Sequence, residues 1–276
     1  MIIYNGFLKE SNFLLSIQNR GLKFGDSLFE TMRVVNYKIK FWEDHYFRLM
    51  AGMRIMRMEI PMIFTMSFFQ SQVEELCTQK GMRHARVRVT IFRKDGGLYA
   101  PQTHKVDFII EALELFETRY KLNPKSYKVD LFKDFKKNKS LLSNVKSNNK
   151  LEHVIAAIYA RENEWDNVLL INTDNHLASA INANIFMVNK NRISTPATTE
   201  GCVKGIIRKK IIEITEKNPA FDMIEKEVNS FELMKADEVF LTNVIMGVQS
   251  VTQFRKKHYS QTAIAEKLIK ALNEMT

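Results

Sequence analysis

Apolar and polar positions recur with distinct periods along the chain, and the changes of period divide it into elements. Residues 1–9 alternate weakly and predict a strand. Residues 27–35, SLFETMRVV, with 38–42 after them predict a hairpin. From 43 to 57 the period lengthens. Tyr46, Leu49, Met50, Met53 and Met56 fall on one stripe, the mark of a helix buried along one side. Residues 65–80 predict a second helix, and 84–93 and 105–114 predict two strands separated by the glycine-containing turn DGGLYAP. This α+β unit closes near residue 116. The next stretch, 117–125, has little apolar periodicity and contains Pro124, so it reads as a linker between domains spanning 1–116 and 126–276. The second region predicts a strand at 126–132, a loop and a helix at 148–163. Strands follow at 166–172, 184–189 and 192–195, then a helix at 205–217. Short strands near 222–227, 236–242 and 248–254 precede a last helix at 261–274. Strands with helices between them give the class α+β / α/β.

Composition narrows the picture only slightly. With 276 residues the chain can bury one large core or two modest ones. Apolar residues at 45% and charged residues at 26% are ordinary for a globular protein. No apolar run reaches the roughly 20 residues that span a bilayer, and the first residues do not read as a signal peptide. The two cysteines, Cys77 and Cys202, lie far apart, which disfavours a disulfide framework or a zinc site and suits a reducing cytoplasm. The net charge of +10 implies affinity for anions or simply a basic surface. Lys133, Lys136, Lys137 and Lys139 interleave with Phe132 and Phe135, and read as a strand end and solvated loop rather than a nucleic-acid patch.

Four segments could carry chemistry. Asn144-Val145-Lys146-Ser147-Asn148-Asn149 leads into the helix at 148–163. A lysine near a helix N-terminus feels the positive end of the dipole, which favours the nucleophilic neutral amine. Gly201-Cys202-Val203-Lys204-Gly205-Ile206-Ile207-Arg208 opens another helix, where free backbone N–H groups can face an anion. Phe240-Leu241-Thr242-Asn243 ends a strand in two hydrogen-bonding side chains. Arg48, in His45-Tyr46-Phe47-Arg48-Leu49, can fork onto a phosphate. Taken singly, each has an ordinary structural reading: a surface charge, a glycine-started helix, a capped turn.

Their order changes the weighing. Arg20-Gly21-Leu22-Lys23-Phe24-Gly25-Asp26-Ser27-Leu28-Phe29-Glu30-Thr31-Met32-Arg33 begins a series that continues through HxxRL, the lysine segment, an Asn184-Ile185-Phe186 strand, Gly205-Ile206-Ile207-Arg208 and FLTN. From about residue 2 to 255 this resembles the class IV aminotransferases, or fold type IV pyridoxal-phosphate enzymes. They include branched-chain and D-amino-acid aminotransferases and aminodeoxychorismate lyases. The resemblance implies a two-domain fold, with a small α+β N-terminal domain and a larger cofactor-binding domain. It also implies pyridoxal 5'-phosphate as cofactor, a small amine or amino-acid substrate, and a homodimer, with no nucleic-acid or membrane partner. Lys146 matches the lysine that carries the cofactor and shuttles the proton. Arg48, the pair Ile206 and Ile207, and Thr242 with Asn243 match the phosphate contacts. The second position of the isoleucine pair is usually Thr or Ser in the family, so a hydroxyl is missing at Ile207. Among Arg83, Arg86, Arg88 and Arg93, Arg88 is the chosen candidate for a substrate carboxylate.

One departure stands out. Counting back from Asn184, the family's glutamate, which pairs with the pyridine nitrogen, falls on Ser179. A protonated ring is the stronger electron sink, and a hydroxyl is a poor source of that proton. Three readings follow: a slow or inactive enzyme, another acid in the contact, or a reaction that needs a weaker sink. The resemblance and Ser179 together favour an aminodeoxychorismate lyase releasing pyruvate and 4-aminobenzoate, a folate precursor. A transaminase for a small amino acid and a non-catalytic relative are the alternatives.

Overall fold

The computed structural model describes residues 1–275. The chain forms two compact units, one of residues 1–118 with 145–149, the other of 119–144 with 150–276. The sequence reading assigns 126–276 whole to the second domain. The five residues around Lys146 instead pack with the first unit, because their backbone adds to a strand there.

In the first unit, β1 (Ile2–Tyr4) and β2 (Phe7–Lys9) are followed by a short helix α1 (Arg20–Phe24), β3 (Ser27–Val35), β4 (Lys38–Ile39), helices α2 (Trp42–Ile55) and α3 (Met66–Gln79), β5 (His84–Arg93) and β6 (Val106–Glu114). The strands make one sheet in the order β2-β1-β6-β5-β3-β4. Along β5 the pattern HARVRVTIFR puts Ala85, Val87, Val89 and Ile91 in the core and leaves Arg86 exposed, as period-two alternation requires. Against this face pack Leu49 and Met53 of α2 and Phe69, Val73 and Leu76 of α3. Phe69 and Phe108 meet Phe64 and Phe68 edge to face, with Phe64 and Phe69 centroids 4.8 Å apart, while Phe64 and Phe68 stack, both favoured aromatic geometries. The Thr65 hydroxyl caps α3 by accepting from the Phe68 N–H at 3.1 Å.

The second unit contains β7 (Lys128–Lys137), the short α4 (Leu141–Asn144), α5 (Leu151–Glu162), β8 (Asn167–Asn172), β9 (Leu177–Ala180), β10 (Asn184–Asn189), β11 (Arg192–Pro196), α6 (Ile206–Glu216), β12 (Asp222–Lys226), β13 (Glu238–Asn243), β14 (Gly247–Ser250), β15 (Gln253–Phe254), β16 (Lys257–His258) and α7 (Ala263–Glu274). Two five-stranded sheets result, β12-β11-β10-β13-β14 and β16-β15-β7-β8-β9. Their shared core includes Leu131, Leu169, Ile185, Val239, Leu241 and Phe254.

Several expectations change. Residues 1–9 form a hairpin, because Asn5 and Gly6 both take positive φ and turn the chain. The strand expected at 126–132 runs on to Lys137 through a register shift, and Lys137 is buried rather than part of a solvated loop. The helix expected at 148 starts at Leu151, with Lys150 at the N-cap. Lys146 therefore lies well before the helix, and the dipole argument for its amine loses force. Neither α1 nor β9 is foreseen. Both are too short to show a period, and LASA consists mostly of small residues.

Candidate functional site

Lys146 is placed by backbone hydrogen bonds. The Phe29 N–H donates to the Lys146 carbonyl at 2.9 Å, and the Asn148 N–H donates to the Ser27 carbonyl at 3.0 Å. A bridge between Leu28 and Ser147 completes a short antiparallel pairing on the open edge of β3. The Asn148 side chain locks it, donating to the Ser27 hydroxyl at 2.8 Å and accepting from an Arg88 guanidinium nitrogen at 2.7 Å. The Phe29 ring then collects two cations: the Lys146 Nζ lies 4.2 Å, and the Arg88 guanidinium carbon 3.8 Å, from its centroid. Burial pushes the Arg88 guanidinium below its usual range. Partial desolvation of this kind strengthens its grip on a carboxylate. The other arginine candidates go elsewhere. Arg93 donates to Asp26 and to the backbone of Met56 and Arg57, Arg83 donates to Asn36, and Arg86 is exposed. The RG…GD motif is a clasp, in which Asp26 accepts from both Arg20 and Arg93 at 2.9 Å.

Arg48 is engaged within the first unit. Its Nε and one terminal nitrogen fork onto the Glu30 carboxylate at 2.7 and 2.6 Å. Glu30 is 1% exposed and also accepts from His45 Nδ1 at 2.7 Å. Burial alone would raise the Glu30 carboxyl, but the Arg48 charge and the hydrogen bonds from His45 and Arg48 overcome it and hold the group at about 2. Burial lowers the His45 imidazole against the pull of Glu30. Neutral His45 then carries its proton on Nδ1, and its buried Nε2 has no hydrogen-bond partner among the described residues. Glu30, His45, Phe29 and Asn148 all lie inside the quoted motifs, so the signal was present without a role attached.

In the second unit a second set is assembled around Asn184. In the β10–β13 register Asn184 faces Thr242. Its side-chain amide donates to the Val203 carbonyl at 3.0 Å, and its oxygen occupies the space that a Cβ on Gly205 would need. Gly205 is the N-cap of α6, and no side chain caps it. The Ile206 and Ile207 side chains are buried, so this turn can offer only backbone N–H groups. The Thr242 hydroxyl is buried without a hydrogen-bond partner among the described residues. An orphaned hydroxyl on a strand that packs against an uncapped helix N-terminus fits a phosphate group. Asn243 fits less well than expected. Its oxygen accepts from the N–H groups of Ile245 and Met246 and its amide donates to the Asn182 carbonyl, so its side chain is committed to the turn.

Ser179 sits on β9, 7% exposed, paired through its backbone with Leu170. Its hydroxyl makes no hydrogen bond among the described residues. The buried carboxylates of this unit are Glu200 and Glu238. Glu200 is held by Asn172, Lys139 and His176, and Glu238 accepts from the Ile264 and Ala265 N–H groups that begin α7. Both have partners of their own, and one partner of Glu200, His176, directly precedes β9.

The fold and these two sets define the class. The family model for Amino-transferase class IV matches residues 27–254, and the chain belongs to this family of enzymes. It is 27% identical to a D-alanine aminotransferase of Bacillus licheniformis over 91% of this chain and 87% of that one. It is 23% identical to an aminodeoxychorismate lyase of Vibrio harveyi over 85% of each. Similar solved folds include the 4-amino-4-deoxychorismate lyase of Pseudomonas aeruginosa (TM-score 0.85, 22% identity, 99% of this chain and 98% of that one). The branched-chain aminotransferase of Thermoproteus uzoniensis is another (TM-score 0.88, 19% identity, 98% and 92%).

Proposed function

We propose that this protein is a pyridoxal 5'-phosphate-dependent lyase of the aminodeoxychorismate type, releasing pyruvate and 4-aminobenzoate. The observation that carries the cofactor reading is Lys146, fixed through its backbone to β3 with its amine over the Phe29 ring. The cofactor supplies an electron sink for the charge left when a bond at the amine-bearing carbon breaks. Lys146 would hold the cofactor, and its amine would take the proton from that carbon. The Thr242 hydroxyl and the Ile206 and Ile207 N–H groups hold its phosphate, with Arg48 as a further cationic contact oriented by Glu30. Arg88 holds a substrate carboxylate.

Ser179 favours the lyase over the transaminase. Loss of the enolpyruvyl group leaves an aromatic ring, so the products themselves supply driving force and a weaker sink suffices. The two buried acids of the second unit already have partners of their own, which supports this reading. The likeness to a D-alanine aminotransferase supports transamination of a small amino acid as the second reading.

A homodimer is supported by α5, where Leu151, Val154 and Ile158 are 74%, 51% and 48% exposed along one helical stripe. Cys77 and Cys202, both free and buried, support a reducing, cytoplasmic setting. No helix among the described residues is long and apolar enough to cross a membrane.

The test is a visible absorption spectrum with pyridoxal phosphate for the wild type and Lys146→Ala, followed by product analysis. A band of lysine-bound cofactor that Lys146→Ala abolishes, with pyruvate and 4-aminobenzoate as products, is the expected result. No band in the wild type overturns the cofactor reading, and a keto acid with a new amino acid overturns the lyase.

A further inference from the structure

Arg88 passes over the partner that its register offers. In the pairing of β5 with β6 it lies directly opposite Glu111, and opposite charges in that position attract. Yet Glu111 is exposed, and the two form no salt bridge among the described residues. The Arg88 side chain runs the other way. In the β3–β5 register it lies opposite Thr31, whereas Asn148 lies beside Ser27, four residues away along β3. Phe29 stands between them on the same face of the strand. The guanidinium therefore crosses the Phe29 ring, with its carbon 3.8 Å from the centroid, and one terminal nitrogen donates to the Asn148 side-chain oxygen at 2.7 Å. Its Nε donates to the Thr90 hydroxyl at 3.2 Å. The other terminal nitrogen makes no hydrogen bond among the described residues.

Asn148 offers a fixed acceptor. Its backbone N–H donates to the Ser27 carbonyl at 3.0 Å and its amide to the Ser27 hydroxyl at 2.8 Å, and Ser27 is 1% exposed. The amide is also neutral. It aligns the guanidinium by a hydrogen bond and leaves the charge in place, where a carboxylate would align it and cancel the charge as well. Two cations thus share the Phe29 ring, Arg88 and the Lys146 amine, and no carboxylate among the described residues is bound to the guanidinium.

We propose that Asn148 is a positioning residue that gives the site its preference for a carboxylate: it draws the Arg88 guanidinium across Phe29, away from Glu111, and leaves its charge uncompensated for the incoming anion. This role rests on Arg88 as the partner of a substrate carboxylate, as proposed above. Two substitutions separate orientation from charge. Asn148→Asp keeps both side-chain contacts, since the Ser27 hydroxyl can donate as well as accept, but sets a negative charge against the guanidinium. Asn148→Ala keeps the backbone bond that aligns the lysine segment and frees Arg88 to relax toward Glu111.

The probes are 4-aminobenzoate and its neutral counterpart 4-aminobenzamide, titrated by calorimetry into the cofactor-loaded protein, with thermal unfolding alongside. Wild type, Asn148→Asp, Asn148→Ala, Arg88→Gln and the double variant Asn148→Ala/Arg88→Gln are compared. Wild type is expected to prefer the acid. Each single variant should bind the acid at least about tenfold more weakly and leave binding of the amide unchanged. The double variant should bind the acid no worse than Arg88→Gln, because the two residues act through one contact. Asn148→Asp should unfold at the wild-type temperature or above it, so that its weaker binding is not a loss of structure. An acid preference lost in Arg88→Gln but kept in the Asn148 variants, or losses that add in the double variant, overturns the role of Asn148 and leaves the Arg88 reading standing. No acid preference in wild type, or none lost in Arg88→Gln, overturns that reading and the proposal with it. Should Asn148→Ala fail to fold, Asn148→Asp decides between the same outcomes.

Discussion

Glu30→Gln tests the electrostatics of the first unit. The Glu30 carboxylate is 1% exposed, accepts two bonds from Arg48 and one from His45, and sits at about 2 instead of the ordinary 4.5. A shift of that size corresponds to roughly 3 kcal/mol of differential stabilisation of the charged form. Because the folded value lies below the unfolded one, this contribution is complete above about pH 4.5 and is lost as pH falls toward 2. On that limb its slope approaches about 1.4 kcal/mol per pH unit. Gln keeps the shape but not the charge, and it leaves Arg48 and His45 facing a neutral amide. Urea unfolding of wild type and variant, followed from pH 7 downward, gives the answer. The variant should be roughly 3 kcal/mol less stable at neutral pH, near the lower end of the cost of breaking a buried ion pair. The gap should close as the medium becomes acidic. His45, lowered by burial, adds an acid-side loss beginning below about 6.5, which a His45→Gln background removes. A variant within about 1 kcal/mol of wild type at neutral pH, with an acid limb parallel to the wild-type limb, would refute the reasoning.

Three further predictions concern the two site sets. Thr242→Val should leave unfolding unchanged or slightly improved, because the hydroxyl has no partner to lose; equilibrium titration should show pyridoxal phosphate binding about tenfold more weakly. Gly205→Ala should lower stability by about 2 kcal/mol in thermal unfolding, since its Cβ meets the Asn184 side-chain oxygen while Asn184 is tied to Val203. Its φ of −67° suits alanine, so the penalty is steric, and a Gly205→Ala/Asn184→Ala double variant should lose the clash. Arg88→Gln should raise KM for a carboxylate substrate about tenfold or more with little change in kcat; an unchanged KM would remove Arg88 from the substrate site.

The sequence was most legible where one periodicity ran long. The β5 and β10 boundaries match the apolar pattern residue for residue, and α2, α3 and α6 shift by a residue or two at their ends. It failed where tertiary pairing decides. Nothing in NVKSNN announces that Lys146 and its neighbours will lie along β3, because the partner strand is more than a hundred residues away. His45 lies outside the apolar stripe read for α2 and is fully buried, since Glu30, distant in sequence, supplies its partner. Lys137 was grouped with the solvated lysines around it because burial of a single lysine leaves no periodic trace.

Motif and geometry supply different parts of the site argument. The motifs pointed to Arg48 and Asn243 as phosphate contacts, while the structure commits the Arg48 fork to Glu30 and the Asn243 side chain to its own turn. Conversely, geometry raises Thr242 from one member of a motif to the group with an unmet hydrogen bond. Ser179 shows why both are needed. Only the motif register identifies it as a departure, and only the structure shows that Glu200 and Glu238 are bound to partners of their own. On the reading proposed above, the absence of an acid at Ser179 on β9 suits a reaction driven by its leaving group better than one that depends wholly on the ring as electron sink.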